Sequence, residues 1–271
     1  MNRALPAVVL ALLAGCAEGP PHVVPVETPL SSAQVVAAVR RASAIRVLPP
    51  GLTPPLSTAA SDVGFDSDRC EAGPADSRIE PCVFGDRASA VQVVLYGDSY
   101  AGMWLPAMRA IAERRHWRLR FYGKPGCPAV GLPVRPSRAC DAFRAYVIGQ
   151  IRASRPRLVV IANGTPVRRL ADTLSRVVVL GGVPVLRESA PECLARHADN
   201  VPACATSPRA ATDHSGPGYI SALPWLCDTV CPPVIDNVTV YRNRFSLTAT
   251  YARRLSGALD AALSADFADL G

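Results

Sequence analysis

From Val91 onward, short apolar runs alternate with longer stretches in which apolar residues recur every three or four positions. Strands buried on both faces of a parallel sheet read as continuous apolar runs, and helices covering them read with helical periodicity, so the alternation predicts βαβ units. "VQVVLYG" (91–97) predicts the first strand, residues 104–115 a helix, "WRLRFYG" (117–123) the second strand and residues 141–154 a second helix. "RLVVIANG" (157–164) predicts the third strand, residues 167–180 a third helix and "VPVLRES" (183–189) a fourth strand. "VTVY" (238–241) is short and predicts a strand end or turn near the site. Thr248 is placed to cap a closing helix over 248–263.

Upstream, Ser31 is an N-cap for an Ala/Val-rich helix over 31–44, which "LPPGLTPP" ends. The pattern up to Ala90 is mostly irregular and predicts an extension wrapped on the core. The chain therefore divides into residues 1–15, a Pro-rich linker over 16–30, an N-terminal helix and extension over 31–90, and an α/β domain over 91–271. No internal repeat is present.

The first residues change where that domain is placed. Met-Asn-Arg precedes an apolar run from Ala4 to Ala14 and then Gly15-Cys16, the layout of an export signal. "LAGC" looks like a bacterial lipobox, so Cys16 is expected to become the lipid-bearing first residue of an envelope lipoprotein. The run is too short to span a bilayer. The remaining eight cysteines fall into close couples, and in an exported chain these predict disulfides Cys70–Cys82, Cys127–Cys140, Cys193–Cys204 and Cys227–Cys231. Cys227-x-x-x-Cys231 has no Cys/His pair at zinc spacing to complete a metal site. The pattern calls for no metal or cofactor.

With 49% apolar and 19% charged residues the chain can bury a full core. Its formal charge of +7 is carried almost wholly by Arg, with Lys124 the one lysine, and is spread along the chain. No basic patch with interleaved aromatics exists of the kind nucleic-acid binding needs.

Loops after the carboxyl ends of parallel strands hold the ligand in open α/β sheets, so "YGDSYAG", "YGKPGCP" and "IANGTP" are expected to cluster. In the first, a strand-turn-helix around Gly97-Asp98-Ser99 aims the Ser99 hydroxyl into the cleft and sets its backbone N–H at a helix N-terminus. A serine hydroxyl becomes a useful nucleophile only when a base takes its proton and donors receive the developing oxyanion.

Several blocks in one order carry this further: "VVLYGDSYAGMWLPAMRAIAERRHWRL", "KPGCPA", "RLVVIANG", "CLARH", "PWLCDTVCPPVIDNVTVY" and "LTATYARRL". Together, over roughly residues 33–263, they resemble the SGNH hydrolases, and within them the periplasmic SGNH domain usually fused to acyltransferase-3 membrane proteins that O-acetylate envelope polysaccharides. The resemblance implies a three-layer α/β/α, flavodoxin-like SGNH fold with a parallel sheet. It implies Ser99 as nucleophile, with Ser99, Gly126 and Asn163 as oxyanion donors, and Asp98 chiefly structuring the turn. Tyr100 replaces the His common after the serine.

The family's last block carries Asp-x-x-His, the Asp orienting the imidazole that acts as general base. Here "YRNRFSLTATYARRL" puts Asn243 and Ser246 at those two positions. Neither accepts a proton near neutral pH. Of the four histidines, His22 lies in the linker, His116 follows the first helix and points away, and His197 sits in a cysteine-flanked surface loop. Asp213-His214 is the one adjacent acid/imidazole couple, making His214 the candidate substitute base. Asn163 and Asn237 match a glycosylation pattern but fall at predicted turns, and Trp104 and Trp225 suit either a sugar-binding cleft or the core.

Three readings follow. A degenerate SGNH lipoprotein binds envelope carbohydrate or acylated glycan, or assists a membrane acyltransferase. An active esterase or O-acetyltransferase uses Ser99 with an unusual base. A ligand-free structural lipoprotein fills the space over Ser99 with Leu, Phe or Trp side chains.

Overall fold

The computed structural model describes residues 28–129, 137–163, 176–211 and 218–266. At its centre, alternate residues of one strand enter opposite layers. Val93 and Leu95 of β2 (Gln92–Gly97) join a buried cluster with Trp104, Met108 and Ile111, whereas Val94 and Tyr96 join another with Phe143, Val147 and Ile151. The first group lies on α4 (Ser99–Arg114) and the second on α5 (Arg138–Ser154), so the sheet is covered on both faces. A fully buried Leu, Ile or Met contributes about 1.5–3 kcal/mol, which makes these two layers the main source of stability.

The sheet has the order β1-β3-β2-β4-β5-β6. β3 (Arg118–Gly123), β4 (Leu158–Ala162), β5 (Val177–Leu180) and β6 (Tyr219–Ile220) run parallel with β2, and β1 (Cys82–Gly85) is antiparallel to β3 at one edge. The family fold expected from the motifs is therefore present: a mainly parallel sheet between helical layers. α1 (Ser32–Ala42) carries the expected Ser31 cap, reinforced by a reciprocal bond from the Ser31 N–H to Gln34. Its Val35, Ala38 and Val39 enter the larger cluster. The chain then runs through α2 (Leu56–Ala59) and α3 (Ser67–Cys70), and later through α6 (Ala190–Arg196) and the small hairpin of β7 (Val234–Ile235) and β8 (Val238–Thr239). Thr248 caps α7 (Ala249–Arg254) as expected, and α8 (Ser256–Asp266) follows after a break at Leu255.

Three expectations fail for identifiable reasons. The third helix, expected over 167–180, gives way to β5 at Val177–Leu180, and its earlier part lies outside the described residues. Three successive valines are stiff at χ1 and fit a pleated surface better than a helix. The fourth strand, expected over 183–189, is not a strand, because the edge beside β5 is taken by β6. That segment is tied instead to the loop after β8, with the Leu186 N–H donating to Arg244 O at 2.8 Å. The extension before Ala90 is less irregular than its sequence suggests, since Cys82–Gly85 is the edge strand β1. Its pairing depends on β3, some 35 residues later, which no local pattern reveals.

All four expected disulfides form: Cys70–Cys82, Cys127–Cys140, Cys193–Cys204 and Cys227–Cys231. Cys16 and the segment expected to be a leader lie outside the described residues, and no described helix is long and apolar enough to cross a membrane.

Candidate active site

The carboxyl ends of β2, β3 and β4 meet as the sequence predicts. Asp98 caps α4, its Oδ1 accepting from the Tyr100 N–H at 2.9 Å, and this places Ser99 as the first helical residue. The backbones pack tightly here. A Cβ on Gly97 would lie 1.9 Å from Ala162 O and 2.9 Å from Asn163 Oδ1, so only glycine fits. Asn163, 5% exposed directly after β4, thus lies against the Ser99 turn. Its Oδ1 accepts from the Ala129 N–H at 3.1 Å, while its Nδ2 has no partner among the described residues. Gly126 sits in a left-handed turn after Pro125, with open space where a side chain would be. Among the described residues, the N–H groups of Ser99 and Gly126 carry no hydrogen bond. An anion at the mouth of α4 would meet the Ser99 N–H, with the helix dipole favouring negative charge, whereas Gly126 and Asn163, expected as further donors, do not line this cleft.

A cleft of about 210 Å³ opens over Ser99. Val63, Phe65, Met103 and Leu247 form its apolar walls, and Glu71, Ser99 and Arg242 its polar ones. The occluding side chains expected of a ligand-free protein do not fill it.

The last block takes a different role from the one the family motif implies. Asn243 Oδ1 accepts from the N–H groups of Phe245 at 2.9 Å and Ser246 at 2.8 Å, making it the cap of a tight turn. Ser246 is 2% exposed. Neither lines the cleft, although their neighbours Arg242 and Leu247 do.

Among the described residues no histidine lines the cleft. His116 follows the far end of α4, roughly 24 Å of helix from Ser99. His197 caps the C-terminus of α6 near Glu188 and Cys193, but the Cys193 sulfur is bonded to Cys204 and offers no thiolate to a metal. His22 and His214 lie outside the described residues. Tyr100 is no substitute base, because burial and then the Asp98 charge push its phenol above the ordinary tyrosine value. Trp104 and Trp225 belong to the core: both are buried and meet edge to face at 6.3 Å, with Trp225 Nε1 donating to Ser32 Oγ.

The sequence blocks, the β2-turn-α4 geometry and the clustered strand ends find their match in a model of the SGNH domain (fused to AT3 domains), which covers residues 69–261. This chain belongs to that family. Its SGNH fold is similar to the lipopolysaccharide acetyltransferase periplasmic domain of Salmonella ser. Paratyphi A, with a TM-score of 0.52 and 14% identity over 65% of this chain and 85% of that one. At such identity the likeness is one of fold. Comparison with curated protein sequences finds no match.

Besides Arg242, the SGNH cleft holds the carboxyl of Glu71. Burial pushes the Glu71 carboxyl up from 4.5 to about 7, with Asp98 adding to the rise and Arg242 opposing it. Three tethers hold its segment. The Cys70–Cys82 disulfide closes a loop worth roughly 3 kcal/mol of chain entropy, the Ala72 N–H donates to Gly123 O at 2.8 Å, and buried Lys124 donates to Gly73 O and to Pro74 O at 3.0 Å. Glu71 sits in the extension read as irregular chain, and its only local signal is its place beside Cys70.

Proposed function

We propose that this SGNH domain handles O-acyl groups on cell-envelope carbohydrate, binding acylated glycan in the Ser99 cleft and assisting a membrane acyltransferase. One observation carries the reading. The Ser99 cleft is open, while Asn243 and Ser246, the positions of the family's acid and imidazole, are committed to a turn and to the interior. The cleft is kept without the family's imidazole, whose loss costs several orders of magnitude where nothing replaces it. The family's association with acyltransferase-3 proteins and the acetyltransferase named among its structural neighbours support the substrate class and an envelope location. The leader supports export and tethering through lipid on Cys16.

Titration with an O-acetylated envelope oligosaccharide and its deacetylated form tests this. The expected result is saturable binding that favours the acetylated sugar and weakens when Ser99→Trp fills the cleft. Equal or absent binding of the two sugars overturns it.

A further inference from the structure

We infer that Glu71 is the proton acceptor for Ser99, standing in the cleft where an imidazole is missing. The inference deepens the reading of Ser99 as an acyl-handling site and rests on it.

The geometry is built around this carboxylate. Glu71 and Ser99 line the same cleft, the side chain entering from the segment bridged to the end of β3. Its Cγ lies over Gly123, where a Cβ would come within 3.1 Å, and its Oε1 lies over Gly102, where a Cβ would come within 2.6 Å. Gly102 is one helical turn beyond Ser99, so both are on the same face of α4. Gly102 thus leaves room for the carboxylate in the cleft that Ser99 lines, while Gly123 makes room first for the Phe121 ring and then for the Glu71 stem. Among the described residues no hydrogen bond or ion pair ends on it, so its oxygens remain available to a hydroxyl.

The surrounding charges suit the role. Asp98 faces Glu71 from the cap of α4 and disfavours its ionised form; Arg242 faces it from the loop after β8 and favours that form, with Asp62 acting on Arg242 in turn. Gly123 on β3 and Gly102 on α4 present no charge. Desolvation and Asp98 make the carboxylate basic, and Arg242 keeps it ionised in an appreciable fraction near neutral pH. A general base is most effective when its pKa lies near the working pH.

The step balances. The Ser99 Oγ–H proton passes to the Glu71 carboxylate as Oγ bonds the acyl carbon. The tetrahedral oxyanion collapses, the bond from the acyl carbon to the sugar oxygen breaks, and Glu71 returns the proton to that oxygen. An acceptor hydroxyl or water then repeats the sequence in reverse and releases the acyl group, leaving Ser99 and Glu71 as they began.

The test is acylation of Ser99 by 4-nitrophenyl acetate between pH 5 and 9, with the acetyl group located by mass spectrometry and Ser99→Ala as background. The expected rate rises with pH to a plateau with a midpoint near 7, and Glu71→Gln lowers the plateau about a hundredfold and removes the midpoint. The wild-type profile is informative even if the variant folds poorly, since a Ser99-dependent rate with no midpoint between pH 6 and 8 overturns the inference. A rate unchanged in folded Glu71→Gln overturns it as well, leaving the acyl site intact. Absence of Ser99 acetylation at every pH also overturns it, and the sugar titration then shows whether the acyl-binding reading survives.

Discussion

Glu71 Oε1 occupies space that Gly102 leaves open: a Cβ at position 102 would approach that oxygen to 2.6 Å. The contact joins the disulfide-tethered extension to the turn of α4 that follows Ser99. Gly102→Ala is therefore expected to displace the carboxylate. The better helix propensity of Ala, about 0.5–1 kcal/mol, offsets part of an overpacking cost of about 1–3 kcal/mol, so the net loss in urea unfolding is expected to be about 1 kcal/mol. Ser99 acetylation is expected to slow about tenfold, by analogy with other small displacements of reacting groups. A full rate with unchanged stability would show that the carboxylate moves aside freely.

Glu71 also makes stability depend on pH in a definite direction. Its folded value of about 7 exceeds the unfolded 4.5, so between these pH values the folded state binds more protons than the unfolded. Relative to Glu71→Gln, wild-type stability is expected to fall as pH rises from about 4.5 to about 7, and to be level on either side. Chemical denaturation of both proteins at pH 4, 5, 6, 7 and 8 measures the difference. A difference that stays level across this window would mean that the folded carboxyl titrates no higher than the unfolded one.

Asn243 and Ser246 offer a reconstruction. Asp at 243 accepts the same two N–H bonds, so Asn243→Asp is expected to keep the wild-type unfolding midpoint, whereas Asn243→Ala loses both bonds and about 1–2 kcal/mol. Adding Ser246→His places an imidazole in a buried position at an overpacking cost of about 1–3 kcal/mol. The pair is expected to raise Ser99-dependent hydrolysis of a small acetyl ester by about a hundredfold. No gain in a folded double variant would mean that the cleft has diverged in more than its base.

Asn163 is expected to matter to the transition state rather than to binding. Asn163→Ala removes an Nδ2 donor that has no partner among the described residues, and if it serves the oxyanion its loss costs about a hundredfold or more in rate. The oligosaccharide dissociation constant is expected to change by less than about threefold, since the donor serves charge that develops during reaction. A matching loss in both measurements would assign Asn163 to ground-state binding or to the fold.

The sequence by itself determined the features that rest on local patterns. β2 and β4 were legible because strands buried on both faces are apolar almost throughout, β3 because its apolar residues alternate with Arg118 and Arg120, and Ser31 and Thr248 because a cap acts on the next few residues. The disulfides were legible from cysteines close in the chain, and the meeting of the loops that carry Ser99, Gly126 and Asn163 from strand ends that a parallel sheet must gather on one edge. Tertiary structure alone decided the rest. Val177–Leu180, whose three valines already favour a strand, was placed by the edge that β4 offered, residues 183–189 failed to become a strand because β6 occupied the next position, and β1 was settled by a partner far along the chain. Glu71 belongs with these. A glutamate in an irregular stretch has an ordinary carboxyl; only the fold carries it over Gly102 into the cleft that Ser99 lines, half-buried and near the charges of Asp98 and Arg242. Its basicity comes from that environment, which neighbouring residues in the chain do not encode.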